Sequence, residues 1–130
     1  MQELPVVSIV DDDQSVRDGV VDLVRAIGFD AEAFERAEHF LQSSRLDRTS
    51  CLITDVRMPG MTGLELLDRL VASGKPIPTI LVTAFPKDVD RVRAEQAGVI
   101  CYLGKPVDER ELVSCIKSAV ASGPMDKGGS

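Results

Sequence analysis

The 130-residue sequence contains no tryptophan, one tyrosine and one histidine, and it lacks any excess of positive charge. Its formal net charge is −6 at pH 7, whereas nucleic acids and anionic membranes favour surfaces rich in Lys and Arg. No apolar run approaches the roughly 20 residues that a membrane-spanning helix needs, and the N-terminus has no basic segment followed by an apolar one. We therefore expect a cytoplasmic segment that binds neither nucleic acid directly nor a membrane.

Cysteine is also scarce, and the three that occur, Cys51, Cys101 and Cys115, lie inside apolar runs. Their spacing matches no common metal site, and an odd number cannot form a complete set of disulfides. In a chain without a secretory signal, such cysteines are usually reduced. We therefore expect three reduced thiols in the core.

Apolar residues make up 44% of the sequence, which is enough to build the core of one domain. Short apolar runs of strand length alternate with segments that have helical periodicity or helix-capping residues. Strands are predicted at residues 5–10, 30–34, 51–54, 79–83 and 99–103, and helices at about 15–27, 36–41, 64–71, 87–97 and 108–120. We expect the domain to span residues 1–121, and residues 122–130, which are rich in Gly and Ser and include a Pro and a Lys, to form a flexible tail or linker.

This alternation favours an α/β fold with a doubly wound, five-stranded parallel sheet in the order 2-1-3-4-5, as in flavodoxin-like folds. Crossovers between parallel strands are right-handed and place helices on both faces of the sheet. Strands such as residues 79–83 show no apolar–polar alternation, as is typical of strands covered on both faces. Ligands of such sheets bind at the carboxyl ends of the strands, near the point where the strand order reverses.

Chemically distinctive side chains follow four of the predicted strands. Asp11 and Asp12 end the first, Asp55 ends the third, Thr83 ends the fourth and Lys105 follows the fifth. Two carboxylates about 4 Å apart repel by roughly 4 kcal/mol near a protein surface, and one lysine cannot neutralise three acids. These oxygen ligands predict a bound Mg²⁺, and a carboxylate beside the ion can attack phosphorus to form an acyl phosphate. Asp55 is the best-placed nucleophile.

Four short motifs occur in order and in register with the predicted strands. They are V-D-D-D at 10–13, D-V-R-M-P-G-M-T-G-L-E at 55–65, V-T-A at 82–84 and Y-L-G-K-P at 102–106. Together they resemble the receiver domain of bacterial two-component response regulators, of the kind often fused to a helix-turn-helix output domain. The resemblance covers about residues 5–121 and implies a phosphorylation-activated signalling switch.

The resemblance implies that Asp55 accepts a phosphoryl group from a sensor histidine kinase. Asp11, Asp12, Asp55 and the main-chain carbonyl of Arg57 would then hold Mg²⁺. Lys105 would bind the phosphate, and a cis peptide bond would join it to the following proline. Such a chain is not an enzyme, because it catalyses only its own phosphorylation and dephosphorylation.

The resemblance also implies how the switch is transmitted. The Thr83 hydroxyl would move to the phosphate, and the Tyr102 ring would turn inward behind it. The surface formed by the fourth helix, the fifth strand and the fifth helix would then change its affinity for a partner, for a second copy in a homodimer, or for a DNA-binding output domain. In physical terms, the phosphate on Asp55 would bias a two-state element.

Two residues near the predicted phosphate are interpreted as controlling access to it. Phe85 lies two residues after Thr83, and we hypothesise that its ring shields the acyl phosphate from water, so that the phosphorylated state is long-lived. Arg57 lies two residues after Asp55, where it either covers the phosphate or pairs with an acid of the fourth helix.

Two alternatives stay open. Phosphatases of the haloacid dehalogenase type use a first-strand aspartate as nucleophile in a D-x-D pattern, which residues 11–13 also match. Asp11 would then attack phosphorus, and phosphate would turn over, although these enzymes need a larger chain. The second alternative concerns context, because the sequence fits both a stand-alone receiver and a part of a DNA-binding regulator.

Overall fold

A computed structural model describes residues 3–122 of the chain. Within these residues, five strands alternate with five helices. In chain order they are β1 (Val6–Val10), α1 (Gln14–Ala26), β2 (Asp30–Phe34), α2 (Ala37–Leu41), β3 (Thr49–Asp55), α3 (Gly63–Ala72), β4 (Thr79–Thr83), α4 (Asp88–Gln96), β5 (Cys101–Gly104) and α5 (Glu109–Ser122). A single 3₁₀ turn (Leu46–Arg48) precedes β3.

The strands form one parallel sheet in the order β2-β1-β3-β4-β5. Side chains of α1 and α5 join the core on one face, and those of α2, α3 and α4 pack on the other. Every residue of β1 and β4 is buried, which explains why their sequences lack alternation. The predicted doubly wound α/β fold and its strand order are confirmed. The order reverses between β1 and β3, so a crevice is expected at their carboxyl ends.

Capping residues determine where the chain turns after β1 and β3. Asp13 accepts hydrogen bonds from the backbone N–H groups of Ser15 and Val16 at the start of α1. Thr62 and Glu65 form a reciprocal capping box at the start of α3. Asp and Thr are residue types that commonly cap helices, and each cap satisfies backbone donors that a helix N-terminus leaves free.

Two predicted boundaries are shifted by hydrogen bonding. β5 begins at Cys101, two residues later than predicted, because the Val99 N–H donates to the Ala94 carbonyl and belongs to the end of α4. β3 begins two residues earlier than predicted, since Thr49 already lies opposite Val6 of β1. The carboxyl ends of β3 and β5 each lie one residue beyond the predicted ends, at Asp55 and Gly104.

The C-terminal helix runs one residue beyond the predicted domain boundary, because α5 ends at Ser122. The rest of the predicted tail, residues 123–130, lies outside the described residues. Between residues 3 and 122, no helix has both the length and the apolar character that crossing a membrane requires.

The expectation of three reduced thiols is wrong for two of the cysteines. Cys101 in β5 and Cys115 in α5 are joined by a disulfide, and Cys51 is a buried free thiol. Burial raises the pKa of the Cys51 thiol to about 12, so this group stays protonated. The bonded pair is 14 residues apart in sequence, and only the packing of α5 against the sheet brings the two side chains together.

We predict that reduction of the disulfide between Cys101 and Cys115 destabilises the fold. The bond closes a loop with a sequence separation of 14, and the chain-entropy relation gives about 3 kcal/mol for a loop of roughly this length. Urea unfolding followed by circular dichroism, with and without dithiothreitol, measures the difference. The double variant C101S/C115S is the control, because dithiothreitol should leave its midpoint unchanged. An equal midpoint for the native chain in both conditions would contradict the prediction.

Candidate functional site

The carboxyl ends of three strands bring two acids and a lysine into contact. Asp11 directly follows β1, Asp55 is the last residue of β3, and Lys105 directly follows β5. The Lys105 Nζ lies 3.0 Å from Asp11 Oδ2 and 3.0 Å from Asp55 Oδ2. Only 2% of Asp11 and 8% of Asp55 is exposed. The lysine therefore bridges two buried carboxylates from neighbouring strands.

Burial and ion pairing act in opposite directions on these charges. Burial raises the pKa of Asp11, against the lowering effect of hydrogen bonds from the Asp13 N–H and from Lys105. Burial alone would lower the pKa of Lys105, but its hydrogen bonds to Asp55 and Asp11 raise it. The ammonium therefore stays charged at neutral pH, where it is the direct counter-charge of both acids.

The exposed carboxylate of Asp12 completes an acidic group. One carboxylate oxygen from each of Asp11, Asp12 and Asp55 lies within 4.8 Å of the other two. Three negative charges face one ammonium, so Lys105 relieves their repulsion only in part. Hard divalent cations prefer oxygen ligands, and this donor set fits such an ion. The Arg57 N–H donates to Asp55 Oδ1 at 3.2 Å, which places the Arg57 main chain beside the same carboxylate.

The Arg57 side chain links this site to α4. Its Nη2 lies 3.0 Å from Asp90 Oδ2. Of the two arrangements predicted for Arg57, the structure therefore shows the pairing with an acid of the fourth helix. The Arg57 side chain is 47% exposed, and exposed ion pairs contribute only about 0–1 kcal/mol. The pair therefore contributes little to stability, but it connects the loop after Asp55 to α4.

Both predicted switch residues hold the β4–α4 segment, which we define as residues 84–87. Thr83 is 1% exposed, and its Oγ1 accepts a hydrogen bond from the Phe85 N–H at 3.2 Å. The Tyr102 hydroxyl accepts one from the Lys87 N–H at 3.3 Å, and the Arg91 guanidinium lies 5.5 Å from the Tyr102 ring centroid. Movement of either side chain would remove a hydrogen-bond acceptor from this segment.

The β4–α4 segment also packs against the turn that carries the lysine. A Cβ added at Gly104 would lie 2.9 Å from Pro86 Cγ, so glycine permits this close approach. The predicted cis peptide bond between Lys105 and Pro106 is present. Phe85 lies on the same segment with 67% of its surface exposed. A rearrangement near Lys105 would therefore change the contacts of the segment that leads into α4.

Two features of the loop after Asp55 were not predicted from the sequence. A Cβ at Gly63 would overlap the Asp55 carbonyl oxygen, which explains a glycine directly after the cap of α3. Glu38 in α2 accepts a hydrogen bond from the Met61 N–H of this loop at 3.1 Å. No sequence signal marks Glu38, because its partner lies 23 residues away and its helix is short and weakly patterned.

The chain is similar to known signalling proteins. The family model described as response regulator receiver domain matches residues 7–117. The response regulator protein TodT of Pseudomonas putida is 36% identical over 122 residues, which cover 94% of this chain and 54% of TodT. The transcriptional regulatory protein FixJ of Bradyrhizobium diazoefficiens is 34% identical over 112 residues, which cover 86% of this chain and 55% of FixJ. The chain thus spans about half the length of these curated relatives.

Solved structures agree with these matches. The response regulator StyR has a TM-score of 0.84 at 41% identity, and the match covers 92% of this chain and 61% of StyR. The crystal structure of FixJ-N has a TM-score of 0.82 at 33% identity, and the match covers 93% of this chain and 96% of FixJ-N. These matches give no support to the haloacid dehalogenase alternative.

We predict that Lys105→Met destabilises the chain when no divalent cation is present, because Asp11 and Asp55 then lack their counter-charge. Leaving a buried polar group without its partner costs about 1–3 kcal/mol, and more when the group is charged. Added MgCl₂ should raise the melting temperature of this variant more than that of the native chain, since the cation would replace the lost ammonium. Differential scanning calorimetry with and without MgCl₂ measures both effects.

The matched control for this prediction is Lys75→Met. The Lys75 ammonium pairs with Asp47, whose side chain is 73% exposed, so its loss should change the melting temperature little. Equal melting temperatures for the Lys105 and Lys75 variants, both with and without MgCl₂, would show that the bridge does not hold the site together.

Proposed function

The chain belongs to the family of response regulator receiver domains, and we propose that a phosphoryl group on Asp55 switches its signalling state. One observation carries the proposal: Asp55 is a buried acid at the carboxyl end of β3 that Lys105 bridges to Asp11. Response regulators are partners of sensor histidine kinases, and we propose such a kinase as the phosphodonor. The phosphate would be held as a signal, so the chain would not turn over a substrate as an enzyme does.

The proposed transfer is a displacement at phosphorus. A carboxylate oxygen of Asp55 attacks the phosphorus of a phosphohistidine on the kinase and forms an acyl phosphate. The P–N bond breaks, and its electron pair goes to the histidine nitrogen. Lys105 would donate to the phosphoryl oxygens as negative charge collects there. Phosphoryl transfer depends mainly on positioning and charge neutralisation. The end of β3 positions Asp55, and the Lys105 ammonium supplies positive charge beside it.

Mg²⁺ is the cofactor proposed for the acidic group, and it would supply positive charge to the phosphoryl oxygens. Asp11, Asp12 and Asp55 would hold it together with the main-chain carbonyl of Arg57. Asp11 is oriented for this role because its Oδ1 accepts a hydrogen bond from the Asp13 N–H at 2.9 Å. The Asp13 side chain also caps α1, so this one residue connects the start of the helix to the acidic group.

Thr83 and Tyr102 are proposed to report the phosphate to the surface. A phosphate on Asp55 would offer the Thr83 hydroxyl a charged acceptor, and charged acceptors form the stronger hydrogen bonds. When the hydroxyl turns, the Phe85 N–H loses the acceptor it now has. The bond between Lys87 and Tyr102 would carry this change to β5. Only differences in contacts between the two states can shift their populations.

The surface formed by α4, β5 and α5 is the proposed output surface. Val89 is 72% exposed and Val92 is 51% exposed on α4, and the exposed Phe85 precedes them. Apolar side chains grouped on one face favour a protein partner over solvent. We propose that this surface forms a homodimer or contacts an output domain, and that the segment acts in the cytoplasm without itself binding nucleic acid or a membrane.

We predict that incubation with acetyl phosphate and Mg²⁺ adds one phosphate to the native chain and none to Asp55→Asn. The amide keeps the size of the side chain but lacks the anionic oxygen that attacks phosphorus. Intact mass spectrometry measures the gain, and circular dichroism checks the fold. Asp22→Asn, a change at an exposed acid of α1, should be phosphorylated like the native chain.

Two outcomes would contradict this prediction. A native chain that binds Mg²⁺ but gains no mass would show that Asp55 is not a phospho-acceptor under these conditions. A label that persists in Asp55→Asn but is lost in Asp11→Asn, with steady release of inorganic phosphate, would instead favour the phosphatase alternative.

Phe85→Ala is predicted to shorten the life of the phosphorylated state several-fold, because loss of the ring would open the acyl phosphate to water. Decay of the phosphorylated mass after removal of acetyl phosphate measures the rate. Val71→Ala, which truncates an apolar side chain of α3 that is 52% exposed, is the matched control. Equal decay rates in the native chain and both variants would refute the shielding role.

A further inference from the structure

Glu38 reaches from α2 to the loop that follows the proposed phosphorylation site. We define the β3–α3 loop as residues 56–62. The Glu38 Oε2 accepts a hydrogen bond from the Met61 N–H at 3.1 Å, although the two residues are 23 positions apart. This bond ties the loop, close to its end, to a different helix from the one that the loop enters.

The loop backbone lies directly against this carboxylate. Gly60 has φ +78, and a Cβ added there would lie 2.7 Å from Glu38 Oε2. The left-handed backbone conformation and this close approach both require glycine at position 60. The carboxylate therefore occupies space that the Cβ of any other residue at position 60 would need.

The contact is not explained by ion pairing. No salt bridge within residues 3–122 includes Glu38, and its Oε1 is buried with no hydrogen-bond partner among those residues. Backbone hydrogen bonds from its own N–H and from Met61 lower the pKa of the Glu38 carboxyl. A carboxylate with a buried, unpaired oxygen contributes less to stability than a fully bonded one, which points to a role for its position.

The β3–α3 loop carries main-chain atoms of the proposed site. It begins directly after Asp55, and the Arg57 N–H in its first turn donates to Asp55 Oδ1 at 3.2 Å. The loop is closed by the Gly63 N–H, which donates to the Val56 carbonyl at 2.9 Å. Between these two anchors, the Met61 N–H is held by Glu38. The loop is thus held by hydrogen bonds at Arg57 near its start, at Met61 near its end, and at Gly63 directly after it.

We propose that Glu38 is a positioning residue for the phosphorylation site, because it holds the β3–α3 loop with the Arg57 main chain beside Asp55. This inference rests on the proposed function, in which the Arg57 carbonyl is a ligand of Mg²⁺. Glu38 acts through the Met61 N–H and touches neither the metal nor the phosphate. Residues that orient metal ligands without binding the metal typically change metal affinity about 10- to 100-fold when they are replaced.

Two substitutions separate the reach of the side chain from its charge. Glu38→Asp keeps the charge but is one methylene too short to reach the Met61 N–H from the same helix position. Glu38→Gln loses the charge but keeps a carbonyl oxygen that can accept the same hydrogen bond. Glu35→Asp makes the matched shortening at an exposed acid two residues before α2 begins, and this side chain forms no salt bridge among the described residues.

The experiment measures Mg²⁺ affinity of the four proteins by isothermal titration calorimetry, together with the ¹H–¹⁵N shifts of the Arg57 and Met61 amides. We expect about tenfold weaker Mg²⁺ binding for Glu38→Asp, with both amides shifted. Binding by Glu38→Gln and by Glu35→Asp should stay close to that of the native chain. Urea unfolding of each variant shows whether a change in affinity merely follows a loss of stability.

Native Mg²⁺ affinity in Glu38→Asp would overturn the proposal, whether or not that variant is less stable than the native chain. Equal weakening in Glu38→Asp and Glu38→Gln would also overturn it, since Glu38→Gln keeps the reach to the Met61 N–H and should then bind Mg²⁺ as the native chain does. Phosphate uptake by the native chain is tested separately. A native chain that binds Mg²⁺ but takes no phosphate would end the proposed function, while the comparison of affinities would still decide the role of Glu38.

Discussion

The bridge that Lys105 makes between Asp11 and Asp55 is the interaction on which the site depends. Two buried carboxylates at the ends of neighbouring strands repel each other, and the ammonium at the end of a third strand offsets that repulsion. The bridge ties β5 to β1 and β3 across the carboxyl edge of the sheet. A phosphoryl group or a divalent cation that entered here would compete for the same charges, so any ligand of the site must reorganise the bridge.

Three links lead from this bridge toward α4. Arg57, whose main chain lies beside Asp55, pairs with Asp90 on α4. Thr83 and Tyr102 each supply an acceptor to the segment that enters α4. None of the three is strong alone, because each is a single hydrogen bond or a partly exposed ion pair. Weak links of this kind suit a switch, since a change of one charge at Asp55 can redistribute them.

The residues at the strand ends could be predicted because a parallel sheet brings the carboxyl ends of its strands to one edge. Asp11, Asp55 and Lys105 were placed correctly from strand position alone, and the resemblance to receiver domains assigned their proposed roles. The disulfide between Cys101 and Cys115 and the contact of Glu38 with Met61 could not be predicted in this way. The disulfide joins α5 to the strand directly before it, and the Glu38 contact joins α2 to a loop 23 residues further on. No periodic pattern encodes which side chains meet when a helix packs.

The sequence by itself determined the order of strands and helices, the capped turns after β1 and β3, and the chemistry available at the edge of the sheet. These features follow from local hydrogen bonding and from apolar periodicity, which act over a few residues. Only the tertiary structure decided that Arg57 pairs with α4, that two cysteines are bonded, and that Glu38 holds the loop after Asp55. The reason is physical: such contacts depend on how closely each helix packs on the sheet, which only the complete fold determines.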